Sequence, residues 1–161
     1  MRLVLVNVPR PELIVREMVS LVRPGGWIAS LEASYSMPDV TEPPALEYSR
    51  LRAAYEAYAR SEDIDLRIGQ RTHRLFREAG LIDVNVDAVV NVYPVGHSRR
   101  STFRDFVHNI RDKLIDGGFI SREELERDLG LFEEKLADPT VLVTSHPFFR
   151  LWGRVHAGGA N

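Results

Sequence analysis

The chain has 161 residues, a formal net charge of −2 and no cysteine, with 44% hydrophobic and 27% charged residues. That is enough apolar length for one domain, 1–161, with its own core, and the balanced charge argues against a nucleic-acid or membrane surface. Without thiols, a disulfide scaffold, thiolate catalysis and a cysteine-ligated metal are excluded.

Leu3 to Val8 is nearly continuously apolar, the pattern of a strand buried on both faces. It is too short for a signal peptide, Pro9 and Pro11 interrupt it, and no later run approaches the roughly 20 apolar residues of a membrane span. A cytoplasmic protein is therefore expected. Pro11 suits the first turn of a helix whose core stripe reads Ile14, Met18, Leu21 and Val22. Pro24-Gly25-Gly26 stops that helix, because proline cannot continue it and glycine permits the positive φ of a sharp reversal. The apolar strand Ile28 to Leu31 follows, completing the helix-to-strand half of a parallel βαβ unit.

Tyr35 to Pro44 reads as a loop rich in Pro and Ser, and a helix from about Pro44 to Arg60 carries Leu51, Ala54, Tyr55 and Tyr58 on one side. Together they form a helical insert, 36–64. A helix around Thr72 to Ala79 ends at Gly80, and Val84 to Tyr93 reads as a third strand. Phe103, Phe106, Val107, Ile110 and Leu114 mark one amphipathic helix stopped by Gly117-Gly118. Ser121 and Glu124 form a capping box that opens a helix bearing Leu125, Leu129, Phe132 and Leu136. Val141 to Thr144 and Phe149 to Val155 give a last strand broken near Pro147, and the tail 157–161 is expected to fray.

Several stretches carry a family resemblance. Leu3 to Val8 with Pro9, Arg10 and Pro11 looks like a fourth strand and its loop, and Glu17-Met18 through Trp27 like the helix and Pro-Gly-Gly turn before strand five. Gly69-Gln70-Arg71 with Leu75 to Leu81, and Leu136 through Trp152-Gly153-Arg154, look like the helix before strand six and the family's ending. In these the chain resembles the C-terminal half of class I S-adenosylmethionine-dependent methyltransferases, in particular actinobacterial small-molecule enzymes. The resemblance implies an α/β fold: half of a Rossmann-like sheet of about four strands, the last antiparallel, with helices on both faces and the insert as a lid. The first strand would lie at an edge, where an unpaired apolar strand invites pairing with a second copy or a partner chain. No G-x-G-x-x-G occurs, so the family's cofactor-gripping turn is missing from the sequence.

Ligands of doubly wound sheets bind outside the carboxyl ends of the strands. The resemblance then puts Asn7, Val8 and Pro9 at the S-adenosylmethionine edge, and Arg10, Glu32 and Tyr35 beside the acceptor; the other reading of Asn7 is a strand-end residue that satisfies backbone groups. Tyr55 and Tyr58 of the insert would roof that pocket, or simply pack the helix. His73 is the candidate general base, its ordinary pKa suiting a phenol or hydroxyl acceptor; the other reading is a solvent-facing His among Arg71, Arg74 and Arg77. His97, His108 and His146 lie apart in sequence and suggest no metal. The function implied is O-, N- or C-methylation of a small metabolite. The alternatives are a non-catalytic binding or assembly module and a cofactor-independent methyltransferase-like enzyme.

Overall fold

The structure is a computed structural model in which residues 1–158 are described. Residues 159–161 of the expected tail 157–161 lie outside them. The chain divides into two compact units. Unit 1 comprises Met1–Ser36, Ile64–Val89 and the segment from Pro147 onward; unit 2 comprises Met37–Asp63 and Val90–His146. The expected insert 36–64 is thus one of two stretches that build unit 2.

Unit 1 is a three-stranded sheet with two helices. Helix α1 (Pro11–Ser20) opens with proline at its first position, where no N–H is needed. Val15 is its buried residue, whereas Leu21, expected in the stripe, is 78% exposed because the helix has ended by then. Gly25 turns the chain with φ +78°, and its N–H bonds Val155 O. Strand β1 (Trp27–Ala33) follows, then helix α3 (Ile68–Glu78), strand β3 (Ile82–Val89) and strand β5 (Phe148–Arg154). The order is β1-β5-β3, with β5 antiparallel to both neighbours. One register row reads Leu31, Arg150, Asp87, and Arg150 and Asp87 form a two-bonded ion pair across the strands.

Ile28 and Leu151 point to the face covered by Ile68, Leu75 and Phe76 of α3, with Leu5 and Val15 in the same core. Gly69 lets α3 approach closely, since a Cβ there would stand 2.8 Å from Ala33 O and 2.9 Å from Glu32 O. Where helices are expected on both faces, the described residues of this unit cover one. Trp27 on the other face is 55% exposed.

The expected strand Leu3 to Val8 is corrected. Only Arg2 makes a bridge, parallel to Leu31; residues Leu5–Asn7 form a 3-10 turn. The apolar run could not distinguish a strand from a buried turn. What decides is a side chain 27 residues away: the Glu32 carboxylate takes the N–H groups of Val4 and Leu5, which a strand would have offered to a ladder. The edge on which chain pairing was expected is therefore not a strand.

Unit 2 is helical. Helix α2 (Leu46–Ser61) packs with α4 (Thr102–Asn109), α5 (Arg111–Asp116) and α6 (Arg122–Ala137) around Tyr48, Leu51, Val107, Leu114, Leu125 and Phe132. The single helix expected through Phe103 and Leu114 is two, divided at Ile110. The Ser121–Glu124 capping box is present with both bonds. A short antiparallel pair, β2 (Thr41–Glu42) with β4 (Leu142–Val143), closes the unit.

Arg100 ties unit 2 together. It is 8% exposed and donates to four backbone carbonyls: Leu136 O (2.6 Å), Tyr93 O (2.6 Å), Asp138 O (3.0 Å) and Val141 O (2.8 Å). Asp128, fully buried on α6, receives a bidentate pair from Arg50 of α2 at 2.7 Å, and this holds its carboxyl below the ordinary range.

Candidate functional site

The sequence-derived residues fall into two groups. Asn7, Val8, Pro9, Arg10, Glu32, Tyr35 and His73 belong to unit 1, and Tyr55 and Tyr58 to unit 2.

In unit 1 the site is built where β1 ends. Met1 and Leu3 flank Leu31 with backbone bonds, and the chain then turns with Leu3 at φ +51°. Glu32 projects from β1 beneath this turn and is fully buried. Its Oε1 accepts from Val4 N (3.1 Å), Leu5 N (3.3 Å) and Ser30 Oγ (3.4 Å); its Oε2 has no hydrogen-bond partner among the described residues. Burial pushes the Glu32 carboxyl above its ordinary value, against the opposing pull of the Leu5 and Val4 N–H groups and the Ser30 hydroxyl. Glu32 therefore serves the chain's own backbone.

Asn7 is exposed and donates from Nδ2 to Leu3 O at 3.1 Å, closing the same turn. Arg10 is exposed and paired with Glu12. The Tyr35 N–H bonds Leu66 O, and burial raises its phenol pKa, so the hydroxyl stays protonated. His73 is half-buried on α3; two of the arginines near it in sequence are occupied, Arg71 with Asp65 and Arg74 with Glu78.

An open cavity of about 430 Å³ lies on the exposed sheet face of unit 1. Met1, Ala29, Leu31, Asp87, Arg150 and Trp152 line it, and none of the sequence-derived candidates does. Strand register decides this: the odd-numbered residues of β1 face outward, while Glu32 faces the core.

In unit 2, Tyr55 packs edge-on against Phe106 and Tyr58 against Phe119, with Lys113 Nζ 5.8 Å from the Tyr58 ring centre. Sequence reasoning passed over a different pair. Tyr48 OH lies 2.9 Å from His146 Nε2, with Tyr48 fully buried. Burial lowers the His146 pKa to about 4, with Arg52 adding to the effect and Asp39 opposing it. His146 is thus neutral at physiological pH and too weak a base to draw a proton from a phenol or an ammonium. Its part is to hold Tyr48. A separation of 98 residues hid the pair, and no local motif could have revealed it.

Among the described residues no group of three His, Cys, Asp or Glu side chains could hold a metal ion, and no helix is long and apolar enough to cross a membrane.

No family model matches the chain, and no curated protein matches it. Solved structures do. A candidate methyltransferase of Bacillus halodurans C-125 superposes with TM-score 0.52 at 13% identity, over 96% of this chain and 67% of its own. Haemonchus contortus phosphoethanolamine N-methyltransferase 2, solved with phosphomonomethylethanolamine and S-adenosylhomocysteine, gives TM-score 0.47 at 11% identity over 96% of this chain and 32% of its own. The [4+2]-cyclase SpnF gives 0.46 at 12% identity. The chain thus spans about a third of the Haemonchus enzyme and two thirds of the Bacillus protein. The Bacillus superposition shows the fold: a mixed α/β chain of the Rossmann-like methyltransferase type.

The residues at the β1 end do not by themselves fit S-adenosylmethionine. Glu32, the acidic residue there, is covered; Arg10 is paired; and one Asn7 amide N–H already goes to Leu3 O. Proline at the first position of α1 removes one N–H that a helix N-terminus would offer an anionic group.

Proposed function

We propose that the chain is the acceptor-side part of an S-adenosylmethionine-dependent methyltransferase that O-, N- or C-methylates a small metabolite. The cofactor's grip would come from polypeptide beyond these residues. One observation carries the reading: β5 runs antiparallel between the mutually parallel β1 and β3, with a parallel bridge at Arg2 on the far side of β1, in a chain that superposes over 96% of its length on a methyltransferase-type fold. In such an enzyme the cofactor's sulfonium supplies the methyl group. This chain would contribute the acceptor's position, through the residues at the end of β1 in unit 1.

The covered Glu32 and the paired Arg10 favour a second reading, a non-catalytic binding or assembly module. Thermal-shift and calorimetric titration of the folded chain separates the two. An acceptor-side part gains Tm with a hydroxylated or amino metabolite without S-adenosylhomocysteine, and binds S-adenosylhomocysteine no tighter than millimolar. Micromolar binding of S-adenosylhomocysteine would show that the chain assembles a cofactor site itself. A folded chain answering to neither is an assembly module, and the methyltransferase reading then fails.

A further inference from the structure

Leu3 to Val8 reads as a strand and folds as a turn, and such conflicts between local sequence and structure gather at strained or functional sites. Three independent features meet there. Leu3 sits at φ +51°, a conformation that costs a branched, non-glycine residue about 1–2 kcal/mol and persists only when its surroundings enforce it. The Glu32 carboxylate, fully buried, holds the two N–H groups that follow, while Asn7 Nδ2 holds Leu3 O from the other end. Glu32 keeps one oxygen without a partner, a cost that a carboxylate placed only for core stability would not carry.

We propose that Glu32 is a positioning residue: its carboxylate clamps the Leu3–Asn7 turn and so fixes where the loop Asn7–Arg10 sets out from that turn toward α1. The clamp acts through the backbone of Val4 and Leu5 and needs no contact with a ligand. It stands whatever the chain binds.

The clamp predicts an ordering that ordinary core packing does not. Glu32→Gln keeps one carbonyl oxygen where Oε1 stands, and places the amide at the unpartnered position. Glu32→Ala removes the acceptor altogether. Amide hydrogen exchange of the whole chain, read residue by residue by NMR, should show Val4 and Leu5 exchanging about tenfold faster or more in E32A. In E32Q they should return to within about threefold of wild type, with the β1–β5 amides unchanged in both. Should E32A fail to fold, Glu32→Asp keeps the charge while withdrawing the oxygen from the turn, and should release the same two amides. Wild-type exchange at Val4 and Leu5 in E32A or E32D would overturn the proposal. So would equal release in E32Q and E32A, because packing rather than an acceptor would then be holding the turn. Neither leg uses a ligand, so failure of the methyltransferase reading leaves this test intact.

Discussion

Removing the Arg100 guanidinium should cost unit 2 more than any exposed charge could. In Arg100→Ala four carbonyls lose their donor: Leu136 O in the last turn of α6, Asp138 O just past it, Tyr93 O and Val141 O. A hydrogen bond to a charged group contributes about 1.5–3 kcal/mol, and a buried acceptor left without a donor costs about 1–3 kcal/mol. Four such losses do not add in full. Water reaches part of the space the side chain vacates, and the substitution also lifts the cost of burying the cation. The net expectation is about 3–5 kcal/mol, a large share of the 5–15 kcal/mol typical of a domain. In a chain of this length that lowers Tm by roughly 6–20 °C. Arg100→Lys offers three donors from one point, cannot span carbonyls of three segments, and should recover less than half of the loss. The two tryptophans, Trp27 and Trp152, both lie in unit 1, whereas among the described residues four of the six α-helices lie in unit 2. Urea unfolding followed by circular dichroism at the helix band therefore reports unit 2, and tryptophan fluorescence reports unit 1. A loss below about 1 kcal/mol in the circular-dichroism transition, or full recovery with lysine, would refute the account of Arg100 as a four-way staple.

Two further outcomes follow from burial. His146, with its folded-state pKa near 4, binds its proton less readily than in the unfolded chain, where the value is near 6.5. Its neutral burial is therefore fully supported above about pH 6.5, and stability is lost as pH falls from there toward 4, by roughly 2–3 kcal/mol in total. His146→Asn should flatten that limb relative to wild type in urea midpoints taken from pH 7 to pH 4.5; an unchanged slope would mean that His146 is solvated. Gly69→Ala would place a Cβ 2.8 Å from Ala33 O and 2.9 Å from Glu32 O, both backbone atoms that cannot step aside. The tryptophan-fluorescence transition of unit 1 should move down by about 1–3 kcal/mol, although alanine is the better helix former; a rise would show that α3 can slide on β1.

Much of the architecture was legible from short-range chemistry. Proline at the start of α1, the glycine reversal before β1, the Ser121–Glu124 box and the α6 stripe Leu125, Leu129, Phe132, Leu136 are each determined within a few residues, and each stands as read. The last strand, read as one strand broken near Pro147, is two: β4 pairs with β2 in unit 2, and β5 pairs with β1 and β3 in unit 1, a division that local pattern does not show. The site was not readable in this way. Glu32 lies in β1 and Tyr35 two residues past its end, whereas Asn7, read at the end of a strand, closes a 3-10 turn. Whether a residue there faces a ligand or the core depends on register and on what lies across from it.

The sequence by itself determined where α1 opens, where the chain reverses before β1 and where α6 is capped, because caps, prolines, glycines and apolar periods act over one or two turns of chain. Only the tertiary structure decided that Leu3 to Val8 turns instead of extending, that Glu32 serves a backbone 27 residues away, that Arg100 gathers carbonyls from three segments, and that Tyr48 finds His146. Each of those outcomes turns on a buried polar group that must find a partner. Burial leaves no water to substitute for it, and the partner stands in a distant part of the sequence that local pattern does not reach.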